Sequence, residues 1–121
     1  MYNLLISRLY REDTLSAYNY IKNVLNAPVA AKNLKNEIKE KLIYISKNPT
    51  HRPLVYDTYL ASLGYRLIRV KNFIIFYIIG DDNKHIKIIR FLYGKRDWIN
   101  ILKETHLEEI MDSAKVSDTH F

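Results

Sequence analysis

The stretch that most constrains the fold is Phe73–Ile79, seven consecutive aliphatic or aromatic residues. A strand with one wet face alternates polar and apolar positions, so a run without alternation is buried on both faces. It therefore belongs in the middle of a sheet. It is far too short to cross a bilayer as a helix, which takes roughly 20 apolar residues. Gly80-Asp81-Asp82-Asn83-Lys84 reads as a tight polar turn, and His85–Leu92 returns as the next strand of a β-hairpin. Tyr65–Val70 also has strand character.

Upstream the periodicity is different. Asn3–Leu9 reads as a short first strand, after which Asp13 or Thr14 can cap a helix with Leu15, Tyr18, Ile21 and Leu25 on its inner face. Asn26 is the expected cap of a second helix, with Pro28 in its first turn, where a missing N–H costs nothing. Ala31, Leu34, Ile38, Leu42 and Ile45 form its apolar stripe, and it ends before Asn48-Pro49. Two such helices with so short a link predict an antiparallel hairpin. Residues 49–62 read as a long loop with a short strand near Val55–Leu60. Asp97 caps the expected last helix, with Trp98, Ile101, Leu102 and Leu107 inward. The expectation is an α+β fold: an N-terminal strand, a helical hairpin on one face, a mainly antiparallel sheet of three or four strands, and a C-terminal helix. Residues 1–111 form one domain in this reading, and 112–121 a polar tail.

Composition narrows the chemistry. With no cysteine there is no disulfide, thiolate nucleophile, zinc ribbon or iron–sulfur cluster, and three glycines are too few for a phosphate-cradling loop. His51, His106 and His120 offer no metal-ligand spacing, so neither a metal nor another cofactor is expected. The net charge of +6 is concentrated: residues 65–96 hold eight basic and two acidic side chains, while residues 97–121 hold two basic and six acidic. A basic block followed by an acidic segment suggests a located binding face for a polyanion or an acidic protein. No signal-peptide or membrane-spanning stretch occurs, which leads to the expectation of a soluble cytoplasmic protein.

Tyr65-Arg66-Leu67-Ile68-Arg69-Val70, the apolar strand ending in Phe76-Tyr77, and Arg90-Phe91-Leu92-Tyr93-Gly94-Lys95-Arg96-Asp97 occur in an order similar to that of the RelE/ParE superfamily. These are the toxins of type II toxin–antitoxin modules. The resemblance covers residues 2 to about 103 and implies a small cytoplasmic toxin neutralised by a cognate antitoxin. It also implies one of two targets: RelE-like members cut mRNA in the ribosomal A site, and ParE-like members act on DNA gyrase.

Cleavage of RNA requires the 2′-OH to be oriented and the charge on the phosphate to be stabilised. Arginine suits the second task, because its fork donates two bonds and stays charged. Arg69, Arg90, Tyr93 and Lys95 are therefore the candidate catalytic residues, with Arg66, Lys71, Lys87 and Arg96 as candidate RNA or target contacts. Arg66 and Arg69 differ by three positions and should face opposite sides of a regular strand. Arg90 has the parity of Ile86, Ile88 and Leu92, and a cation on an apolar face either pairs with a carboxylate or serves a site. Tyr93 stands where many superfamily members carry histidine, and Ile74 where many carry a second arginine. A neutral phenol is a poor base near pH 7. On this reading a metal-independent, ribosome-dependent mRNA endonuclease comes first, and a non-catalytic gyrase inhibitor second.

Overall fold

The computed structural model describes the backbone of residues 1–115 and side chains through Glu108. Phe73–Ile79 is strand β3, flanked by β2 (Arg66–Val70) and β4 (His85–Tyr93), with β1 (Asn3–Ile6) on the far side of β4. The sheet order is β1-β4-β3-β2, antiparallel except for the parallel pair β1–β4. The helices are α1 (Arg8–Asn19), α2 (Pro28–Lys47), α3 (Thr58–Ser62) and α4 (Trp98–Lys115).

Helices cover both faces of the sheet, not one. Ile68, Val70, Ile75, Tyr77, Ile86, Ile88 and Phe91 pack with Tyr10, Ala17, Leu34 and Ile45 of the α1–α2 hairpin. On the other face Tyr65, Ile74, Phe76, Ile89 and Leu92 pack with Leu60 of α3 and with Trp98 and Leu102 of α4. This double cover explains why β3 tolerates no polar residue. Its central four residues are each 2% exposed or less.

Several local expectations are corrected. β1 stops at Ile6 because Ser7 opens α1: its hydroxyl accepts the Tyr10 N–H at 3.0 Å and donates to the Ile89 carbonyl at 2.7 Å. Asp13 and Thr14 therefore lie inside the helix and cap nothing. The buried stripe of α1 is Tyr10 and Ala17, whereas Leu15 and Leu25 stand in solvent. Beyond Asn19 the helix widens into a π segment, Tyr20–Val24, in which the Leu25 N–H reaches the Tyr20 carbonyl at 3.0 Å. Asn26 does not cap α2; it turns the chain at φ +53°, a left-handed conformation that asparagine tolerates. The strand expected near Val55–Leu60 is instead the short helix α3, capped by Asp57, whose carboxylate accepts the Leu60 N–H at 3.0 Å. Only Leu54 pairs with the sheet there, through an isolated bridge to Arg66. On α4 the inner position is Thr105, and Leu107 is exposed. The helix continues to Lys115, so a polar tail from 112 would be helical at its start; residues 116–121 lie outside the described residues.

Candidate functional site

The decisive local irregularity is a β-bulge in β4. Phe76 pairs with Arg90 but Tyr77 pairs with Ile88, so Ile89 is an extra residue. Ile86 and Ile88 face the helical hairpin, yet beyond the bulge it is Phe91 that faces it, while Ile89 and Leu92 face α4. The parity that grouped Arg90 with Ile86 and Ile88 is broken at this point.

Arg90 consequently reaches the edge of the sheet where α1 and α4 approach it. Its Nε and Nη2 donate to the two carboxylate oxygens of Asp13 at 2.7 and 2.9 Å, and its Nη1 donates to Thr105 Oγ1 at 2.9 Å. The same Asp13 carboxylate accepts the Phe91 N–H at 3.1 Å, and Thr105 donates onward to the Ile101 carbonyl at 2.7 Å. Arg90 and Asp13 are only 14% and 13% exposed. The bidentate fork is satisfied on both sides and ties three elements together, so the guanidinium is already occupied.

The remaining candidates do not converge on one face. Arg69 is exposed opposite Ile74, on the α4 side, and its Nη1 lies 3.1 Å from where a side-chain carbon on Gly94 would sit. Tyr93 projects to the hairpin side, edge-on to Phe73 with ring centres 5.7 Å apart. Lys95 and Arg96 are exposed in the turn that leads into α4, and Lys71 occupies the β2–β3 turn at φ +54°. Lys87 is exposed near the start of β4, opposite Leu5 of β1. Arg66 faces away from Arg69, as the three-residue spacing predicts; it stands opposite Tyr77 and donates from Nη1 to the Arg52 carbonyl at 2.7 Å.

A feature that sequence reasoning missed lies on the helical hairpin. A groove of about 360 Å³ runs between α1 and α2, lined among others by Tyr10, Leu15, Tyr18, Leu34, Ile38 and Leu42, with Lys35 and Lys39 at its margin. Lys22 and Lys35 both lie over the Tyr18 ring, at 5.8 and 5.9 Å from its centre. Tyr10 is almost wholly buried, and its hydroxyl has no hydrogen-bond partner among the described residues. Burial, and secondarily the charge of Asp13, hold that hydroxyl well above the ordinary phenol range. The exposed residues Tyr20, Val24, Leu25 and Val29 add apolar surface around the helix-to-helix turn. The sequence signal that could have found the groove is Leu15 and Tyr18, apolar side chains of α1 that line it without belonging to the buried stripe.

Among the described residues no cluster of His, Asp and Glu could hold a metal, and no helix is long and apolar enough to cross a membrane.

Residues 4–98 match the family model described as ParE toxin of type II toxin–antitoxin system, parDE. The chain belongs to the ParE toxin family. Its fold is similar to the chromosomal ParDE toxin–antitoxin system from P. aeruginosa, at TM-score 0.63 and 19% identity over 78% of this chain and 98% of that one. It is also similar to the RelBE2 toxin–antitoxin complex from Mycobacterium tuberculosis, at TM-score 0.52 and 18% identity over 76% and 96% of the two chains. A comparison with curated protein sequences gives no match. The protein is thus a RelE/ParE superfamily toxin of a type II toxin–antitoxin system.

Proposed function

We propose that this ParE-family toxin arrests growth by binding a protein target, with DNA gyrase the candidate, and that it does not cut mRNA. The observation that carries this reading is the Arg90–Asp13 fork, which removes the strongest candidate for phosphate stabilisation from any open site. One further fact supports it. Arg69 and Tyr93 point to opposite faces of the sheet.

Purified toxin in a supercoiling assay, run alongside a reconstituted translation reaction with labelled mRNA, separates the two targets. Inhibited supercoiling with intact mRNA is expected. Ribosome-dependent cuts in the message would overturn the proposal.

The cognate antitoxin is the second partner. The apolar groove between α1 and α2 has the shape for the apolar face of an amphipathic segment, and Lys35 and Lys39 suit acidic side chains along its border. In a pull-down with the antitoxin, Lys35→Glu/Lys39→Glu should weaken capture while leaving the fold intact. Undiminished capture would place the antitoxin elsewhere.

A further inference from the structure

At the opposite end of α2 from the hairpin turn, four side chains meet that neither the antitoxin groove nor the end of β4 uses. Tyr44 comes from the last turns of α2, His51 and Arg52 from the loop after Asn48, and Arg66 from the first position of the edge strand β2. The loop is held at two points. Tyr77 donates its hydroxyl hydrogen to the Pro49 carbonyl at 2.7 Å from inside the core, and Arg66 clamps the Arg52 carbonyl at 2.7 Å from the rim. Tyr44 Oη lies 3.2 Å from His51 Nδ1, and the Arg52 guanidinium sits 5.6 Å from the centre of the Tyr44 ring. Arg66 Nη1 thus lies against the Arg52 main chain, while the Arg52 guanidinium lies over Tyr44, the ring that also meets His51.

No carboxylate among the described residues forms an ion pair with this cluster. Among the described residues the carboxylates in ion pairs are Glu12, Asp13, Asp57 and Asp82, and none of them pairs with Arg52 or Arg66. Arg52 and Arg66, joined through the Arg52 carbonyl on a loop fixed at two points, therefore leave positive charge that no paired carboxylate among the described residues neutralises. Arg66 spends one of its five N–H donors on the Arg52 carbonyl, and Arg52 side-chain donors are free of protein acceptors among the described residues. The imidazole of His51 adds a further donor on an exposed ring. Donors arriving from a strand, a loop and a helix-borne aromatic suit a tetrahedral group with several oxygens better than a planar carboxylate.

We propose that Arg52, Arg66 and His51 form a phosphoryl-binding site, taking inorganic phosphate or the backbone phosphates of a nucleic acid. The site is separate from the β4 residues and does not depend on the identity of the toxin's target.

The test is a two-dimensional NMR and calorimetric titration of the full chain with sodium phosphate, with sodium acetate as the planar comparison, at constant ionic strength. Phosphate should shift the Arg52 and Arg66 side-chain Nε–H signals saturably, and acetate should bind at least tenfold more weakly. Arg52→Ala breaks no hydrogen bond that its side chain makes, and Arg66→Lys keeps the charge while losing the fork. Each should weaken phosphate binding several-fold, and the two together tenfold or more, while Lys32→Ala on the exposed face of α2 stays within twofold. A second arm uses a single-stranded and a duplex DNA oligonucleotide across a salt series. If the natural source is a nucleic acid backbone, Arg52→Ala/Arg66→Lys, which removes one cation, reduces the slope of log affinity against log salt by about one unit; if it is a free phosphate, the slope stays unchanged and only the first arm responds. Equal binding of acetate and phosphate, or phosphate binding indifferent to both substitutions, overturns the proposal.

Discussion

Replacing Asp13 by alanine tests whether Arg90 is a brace or a reactive group. The substitution leaves a guanidinium with its main partner gone, in a place where Arg90 keeps only 14% of its exposure. Breaking a buried pair from one side typically costs about 3–5 kcal/mol, because the survivor stays desolvated and uncompensated. Since water still touches both groups and Thr105 Oγ1 remains as an acceptor for Nη1, the lower end applies, ~3 kcal/mol. Loss of the acceptor for the Phe91 N–H adds ~1 kcal/mol. A total near 4 kcal/mol is a large share of the ~5–15 kcal/mol that holds a domain of this size folded. It should lower Tm by roughly 10–20 °C. The double variant Asp13→Leu/Arg90→Met removes both charges and puts similar volume in their place, so it should recover most of that loss. Urea unfolding of the wild type, both single variants and the double variant completes the cycle, and induced growth arrest is scored in parallel. A toxic, stable double variant means that Arg90 serves the fold. Arg90 is not a brace if Asp13→Ala unfolds within ~1 kcal/mol of the wild type, or if the double variant is fully folded yet harmless.

Tyr10→Phe removes a buried hydroxyl that has no partner among the described residues and should raise stability by ~1 kcal/mol in urea; a loss of that size would reveal a bond to the hydroxyl. Because the folded state holds the Tyr10 pKa above its ordinary value of 10.0, its neutral form favours folding below pH 10 and that contribution is lost as the pH rises beyond it. Tyr10→Phe should therefore flatten the alkaline limb of a stability–pH curve. Asp82 works in the other direction: hydrogen bonds from the Lys84 amide first, and then from His85, lower its pKa from 3.8 to about 2. Its contribution is present above pH 3.8 and lost as the pH falls through about 2, so Asp82→Asn should lose the acid-sensitive step that a carboxyl NMR titration follows. Gly94→Ala places a carbon 3.1 Å from Arg69 Nη1 and 3.2 Å from the Asn72 carbonyl, which already accepts the Gly94 N–H at 2.7 Å. The arginine can move but the backbone oxygen cannot, so a cost of ~1 kcal/mol is expected by thermal unfolding.

Much of the fold follows from patterns that a single chain displays. The unbroken apolar run of β3 announces a central strand, the polar turn at residues 80–84 its hairpin, and the stripe from Ala31 to Ile45 the inner face of α2. The failures cluster where a side chain overrides periodicity. Ser7 starts α1 a turn and a half ahead of Asp13 because its hydroxyl serves both the helix and the Ile89 carbonyl, a partner 82 positions away. The stretch from Val55 to Leu60 has strand-like composition, yet the Asp57 carboxylate caps a helical turn there.

The site was harder to read for a reason that can be located at one residue. Were Ile89 paired in regular register, with no bulge, the period of two would hold along β4 and Arg90 would point into the hairpin core beside Ile86 and Ile88, an intolerable place for a charge. The bulge shifts the phase by one position, sends Ile89 into the α4-side core, and lets Arg90 meet a carboxylate at the sheet edge. That carboxylate left its own trace: Asp13 lies between Tyr10 and Ala17 on the buried side of α1, a charge on an apolar stripe. An arginine misplaced on a strand and an aspartate misplaced on a helix are each ambiguous alone. Taken as complementary violations they point to each other, and the fork between them is what the Asp13→Ala experiment probes. Arg52 and Arg66 violate no such pattern, and no carboxylate pairs with them among the described residues, so they stay open to an outside anion while Arg90 does not.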